Sequence, residues 1–137
     1  MAELAIVGFY LSLNAFILLY LSSKVIAIRR SEGVSLGDGG NKTLLHRIRG
    51  QGNASEYMPI FFLLLGVAAL LSAPPIALHL FGAVFTLGRL MHAYWFLKMP
   101  EGFKPRFFGM VLTLASISLL AISLFVHCVV IMAGGYS

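Results

Sequence analysis

The chain is poor in charge and in cysteine. Only 11% of its 137 residues are Asp, Glu, Lys or Arg, while 59% are hydrophobic. A chain so composed lies outside the soluble globular range and reads as a polytopic membrane protein. Its one cysteine, Cys128, excludes an internal disulfide framework and a cysteine-rich metal site. Lying in an apolar run, that thiol is read as inert. No two histidines are spaced to share a metal ion, so no metal is expected. Aromatic residues do not interleave with the basic ones as a single-strand binder requires, which argues against nucleic acid as the partner of the +5 charge. Internal repeats, low-complexity tracts and a heptad seam are also lacking.

What the chain does have is four apolar segments. The first runs from about Leu4 to Ile28, and Arg29 and Arg30 follow it. The second begins amphipathic near Lys42 and turns fully apolar from Tyr57 to Ser72, where Pro74-Pro75 breaks the helix. The third runs from Ile76 to Leu97, interrupted by Arg89 and His92, and the fourth from about Phe103 to Met132, ending at Gly134-Gly135. Each is near or above the ~20 residues that cross a bilayer core. The first starts with Glu3 rather than a basic stretch and is too long for a signal peptide, so it is read as a retained span. The expected fold is an all-α integral membrane bundle of four transmembrane helices, up-down-up-down, in one domain over residues 1–137.

The basic residues give the orientation. Six of the ten Lys and Arg residues fall between Lys24 and Arg49, and three more between Lys98 and Arg106. The loops Ser31–Asn41 and Met99–Pro105 are therefore expected in the cytoplasm and both termini on the other side. Within the first loop, Gly37-Asp38-Gly39-Gly40 lacks the lysine and spacing of a phosphate loop and is read as a flexible turn.

Charged groups inside spans point to a site, because each costs roughly 2.5–3.5 kcal/mol at the centre of a spanning helix even on lenient insertion scales. Arg49, Asn53 and Glu56 are spaced i, i+4, i+7 and share one helical stripe. Over seven residues a helix rises about 10 Å, comparable to a short peptide lying along it. A guanidinium, an amide and a carboxylate in that order complement a zwitterionic peptide. Arg89, His92 and Phe96 share a face of the third helix, while Arg29 and Arg30 close the first and Arg106 opens the fourth at the same membrane level. A purely structural alternative has Arg89 pairing with Glu56, and Lys24, Arg29 and Arg30 anchoring to lipid phosphates. Three aligned polar groups are more than such a pair needs. His79 and His127 are read as lone packing histidines.

The segment Arg49-Gly50-Gln51-Gly52-Asn53-Ala54-Ser55-Glu56-Tyr57-Met58-Pro59 resembles the signature of the MAPEG family, membrane-associated proteins in eicosanoid and glutathione metabolism. The version in its cysteinyl-leukotriene-forming members is the most similar. The approach Val25-Ile26-Ala27-Ile28-Arg29-Arg30 and the later Gly88-Arg89-Leu90 resemble those members too, and Arg89-x-x-His92 is similar to the prostaglandin-forming ones. The resemblance extends over all four spans. It implies a homotrimer holding glutathione between neighbours near the cytoplasmic face, with the lipophilic electrophile arriving from membrane lipid. On that basis Arg49, Gln51, Asn53, Glu56 and Tyr57 are glutathione-binding candidates, Glu56 taking the ammonium group and Arg29 or Arg30 a carboxylate. Arg89 and His92 would come from the adjacent subunit. Arg106, or failing it Arg30, would stabilise the thiolate in a glutathione transferase, with lipid hydroperoxide reduction as a possible side activity.

The chain departs from the family pattern at Phe96, where tyrosine is often found, and in the spacing of Arg106 from Arg89; Tyr94 lies on another face. Two other readings stand beside the transferase. A non-catalytic, lipid-presenting member of the family loses charged residues in the motif, whereas Arg49 and Glu56 are both present here. A small proton-coupled exporter places a carboxylate inside helix one, where this chain has none beyond Glu3.

Overall fold

The computed structural model describes residues 1–98 and 104–134. The four expected spans are four helices, α1 (Ala2–Glu32), α2 (Lys42–Leu70), α3 (Pro75–Lys98) and α4 (Lys104–Ala133), each long and apolar enough to cross a membrane. The chain is a multi-pass membrane four-helix bundle. Helix α1 runs past Ile28 to Glu32, which shortens the first connection to Gly33–Asn41. The proposed limits at Phe103 and Gly135, and residues 99–103 of the third loop, lie outside the described residues.

Local chemistry sets the helix ends. Gly33 takes the left-handed conformation (φ 64) that closes α1, and the Val34 N–H donates back to Arg29 O at 3.0 Å. Asn41 caps α2, its Oδ1 accepting the Leu44 N–H at 3.0 Å. At the other end α3 opens on Pro75, where a missing N–H leaves no bond unmade.

Helix α1 packs on α2 and α3, and α4 packs on α3 and α2, so α1 and α4 flank the central pair. Lipid is as apolar as a core side chain, so close backbone approach and interhelical hydrogen bonds must hold such a bundle. Both are present. Helices α3 and α4 meet at Gly88 and Gly109, where a Cβ on Gly109 would fall 2.7 Å from Gly88 O and 2.8 Å from His92 N. Helices α2 and α3 meet where Gly50 faces Phe96. Asn14 of α1 donates to Thr86 Oγ1 of α3 at 2.8 Å, and the Tyr10 hydroxyl lies 3.2 Å from His79 Nδ1. Between them is an aromatic core, Phe61 stacked on Phe85 at 3.8 Å with Phe62 edge-on to both. The outward faces carry exposed Phe9, Phe16, Leu19, Phe125 and Val130, surface suited to hydrocarbon or a neighbouring subunit rather than water.

Candidate functional site

Where the end of α1 turns into α2, and α3 gives way to α4, the bundle opens into a crevice of about 980 Å³. Arg49, Asn53 and Glu56 line it from α2, His92 and Phe96 from α3, and Arg106 from α4. The i, i+4, i+7 stripe thus faces a single space. Arg49 and Glu56 are exposed within it, Asn53 is half-buried, and His92 is buried in its wall. The wide mouth keeps the charged heads hydrated, so their presence in a spanning helix costs little.

Arg89 is placed differently from the expectation. It is 2% exposed and does not line the crevice. Its Nη1 donates to Asn53 Oδ1 at 2.8 Å, its Nε to Thr113 Oγ1 at 3.1 Å, and its Nη2 lies 4.0 Å from Met110 Sδ. The rings of Tyr57 and Phe85 sit 5.8 and 5.9 Å from the guanidinium carbon. Arg89 therefore ties α2, α3 and α4 of one chain, and its partner on α2 is Asn53, not Glu56. A guanidinium only donates, so the atom it meets must be the amide oxygen, and Asn53 presents its NH₂ elsewhere.

His92 lines the same crevice as Arg49 and Glu56 within one chain. Its ring lies 5.0 Å from that of Phe96. The guanidinium carbon of Arg106 stands 5.2 Å from the Trp95 ring and 5.3 Å from the Phe96 ring, so two aromatic faces of α3 hold the first turn of α4 over the crevice. Phe96, the departure from the tyrosine pattern, thereby forms part of the crevice wall through its ring alone. The loop adjustment that the Arg106 spacing demands does not keep this residue from the site.

Besides Arg89, four candidates do not line this crevice: Arg29, Arg30, Gln51 and Tyr57. Arg29 turns toward the loop, its Nη1 3.5 Å from Val34 O, and Arg30 is exposed near the end of α1. Tyr57 lies behind the wall, against Arg89. Conversely, sequence reasoning missed His46, Gly37 and Asp38, which do line it. His46 stands three residues before Arg49 on the same stripe, a signal that was available. Asp38 carried none, because a loop residue has no periodicity. Arg47, also passed over, donates from Nη1 to Phe96 O and ties α2 to the end of α3.

The family model for MAPEG matches residues 7–126 of this chain. The chain belongs to the MAPEG family. That match covers all or most of each helix, in accord with the resemblance seen in the motif. Among curated relatives, the inner membrane protein YecN of Escherichia coli K12 is 39% identical to this MAPEG chain over 87 residues. The aligned region is 64% of this chain and 66% of that protein, just under two thirds of its length. The YecN protein of Escherichia coli O6:H1 is similar to the same extent.

Proposed function

We propose that this MAPEG protein is a glutathione transferase of the membrane, acting on lipophilic electrophiles and assembled as a homotrimer. The observation that carries the reading is the single crevice lined by Arg49, Asn53 and Glu56 of α2, His92 of α3 and Arg106 of α4. Glu56 takes the ammonium of the γ-glutamyl end and Arg49 a carboxylate, with the Asn53 NH₂ between them donating to a peptide carbonyl. Arg29, Arg30 and Gln51, outside the crevice of their own subunit, would reach the peptide from a neighbouring protomer. The crevice faces the cytoplasm and the termini the opposite side.

Arg106 supplies the chemistry. A free thiol with pKa about 8.5 is only about 3% thiolate at pH 7. Lowering that value by about two units needs roughly 2.7 kcal/mol of preferential stabilisation. Arg106 is exposed in the empty crevice; with the peptide seated against it and aromatic rings at its flank, its guanidinium supplies an interaction of that order. The proton leaves to water, the thiolate sulfur forms a bond to the electrophilic carbon, and the bond to the leaving group breaks with its electron pair. The apolar outer faces of the helices admit an electrophile dissolved in the bilayer.

The test is activity of the purified protein with glutathione against an aryl halide, a reactive epoxide and a lipid hydroperoxide, with calorimetric titration of glutathione alone. Saturable binding with conjugate formation is expected for the halide or epoxide. Absence of glutathione binding overturns the reading.

A further inference from the structure

The loop Gly37–Gly40 contributes nothing to the function just argued, yet Gly37 and Asp38 line the same crevice. The loop is not a slack tether. Asp38 is half-buried, its Oδ1 accepts the Gly40 N–H at 3.0 Å, and its carbonyl accepts the Asn41 N–H at 2.9 Å. Gly39 has φ 57, and a Cβ there would stand 2.7 Å from Val34 Cγ2, so the loop folds back on the side chain that follows the cap of α1. The carboxylate of Asp38 thus has a defined place in the crevice wall. With one bond to Gly40 made, it keeps acceptor capacity for a ligand.

The charge of the lining depends on this residue. Among the described lining residues, Arg49 and Arg106 are cationic and Asp38 and Glu56 anionic, so that with the histidines counted as neutral their sum is zero. Among the described residues no ion pair joins Asp38, Arg49 and Glu56. A lining with both signs set apart suits a ligand that itself carries both signs. Without Asp38 the lining would be net cationic, and small polyanions would compete on charge alone.

We propose that Asp38 is a specificity residue of this crevice, selecting peptides with a free ammonium group over analogues that carry carboxylates only. The proposal rests on the glutathione reading and adds to it the chemical criterion by which the ligand is chosen.

The experiment is calorimetric titration of the full-length protein in detergent with glutathione and with its deaminated analogue, in which a glutaryl group replaces the γ-glutamyl group. Wild type, Asp38→Asn and Asp38→Ser are compared, since amide and hydroxyl oxygens can each still accept the Gly40 N–H and preserve the turn. The preference for glutathione over the analogue is expected to fall about tenfold in both variants, the order of losing one negative charge from a partly hydrated lining. A loop merely loosened would weaken both ligands alike, so a preference within twofold of wild type in either folded variant overturns the role of Asp38 and leaves the glutathione reading standing. Failure of the wild type to bind glutathione overturns both.

Discussion

Arg89 Nη1 lies 2.8 Å from Asn53 Oδ1, which ties a guanidinium buried in α3 to an amide that faces the crevice from α2. On the glutathione reading, this bond would couple stability to ligand binding. The arginine cannot be removed without freeing the amide that the peptide is argued to meet.

Arg89→Met is accordingly expected to destabilise the bundle by about 1–3 kcal/mol, the cost of leaving buried polar partners unsatisfied. Thr113→Val, which removes the acceptor of the Nε bond and the Thr113 hydroxyl's own bond to Gly109 O at 2.8 Å, is expected to cost about 1–2 kcal/mol. Unfolding in detergent measures both. Glutathione affinity should fall in Arg89→Met, through Asn53, but hold in Thr113→Val, because Thr113 does not line the crevice.

Glu56→Gln is expected to weaken glutathione binding by about tenfold or more, as removal of a charged hydrogen-bond partner should, while the elution volume on size-exclusion chromatography stays that of wild type. Affinity within a factor of two of wild type would show that the ammonium is held elsewhere.

Arg106→Ala separates binding from chemistry. Glutathione should still bind through Arg49, Asn53 and Glu56, and the ultraviolet thiolate absorbance that follows mixing should vanish together with conjugation. An undiminished thiolate signal would transfer the role to Arg30.

Gly109→Leu tests the α3–α4 crossing. Its Cβ would meet the backbone at Gly88 O and His92 N, both under 3 Å, and backbone atoms cannot rotate aside as a side chain can. The helices must separate, so a drop in stability of several kcal/mol and loss of activity are expected, read by thermal unfolding in detergent. Wild-type stability would mean that the helices tolerate a wider spacing.

The spans, their order and the proline break were legible in the sequence, because hydropathy and helix-breaking chemistry act locally. The Arg49, Asn53, Glu56 stripe was legible for the same reason, since helical spacing alone decides which residues share a face. Depth and partner were not. Periodicity put Arg89 and His92 on one face of α3, but only the packing shows His92 reaching the crevice while Arg89 turns to Thr113 and Asn53. Asp38 was illegible because the folding of its loop over Val34 depends on packing that no local pattern encodes.

The crossing of Gly88 and Gly109 is the closest approach of α4 to α3 among the glycines described. Arg106 lies three residues from it, about 4.5 Å of helix rise, whereas the far end of α4 is about 36 Å away. Tilting α4 by about 10° about that point moves Arg106 by less than about 1 Å and the distal end by about 6 Å, on helix rise alone. Any tilt of α4 about that point would therefore be felt several-fold more at its distal end than at the guanidinium, which sits at the short end of the lever.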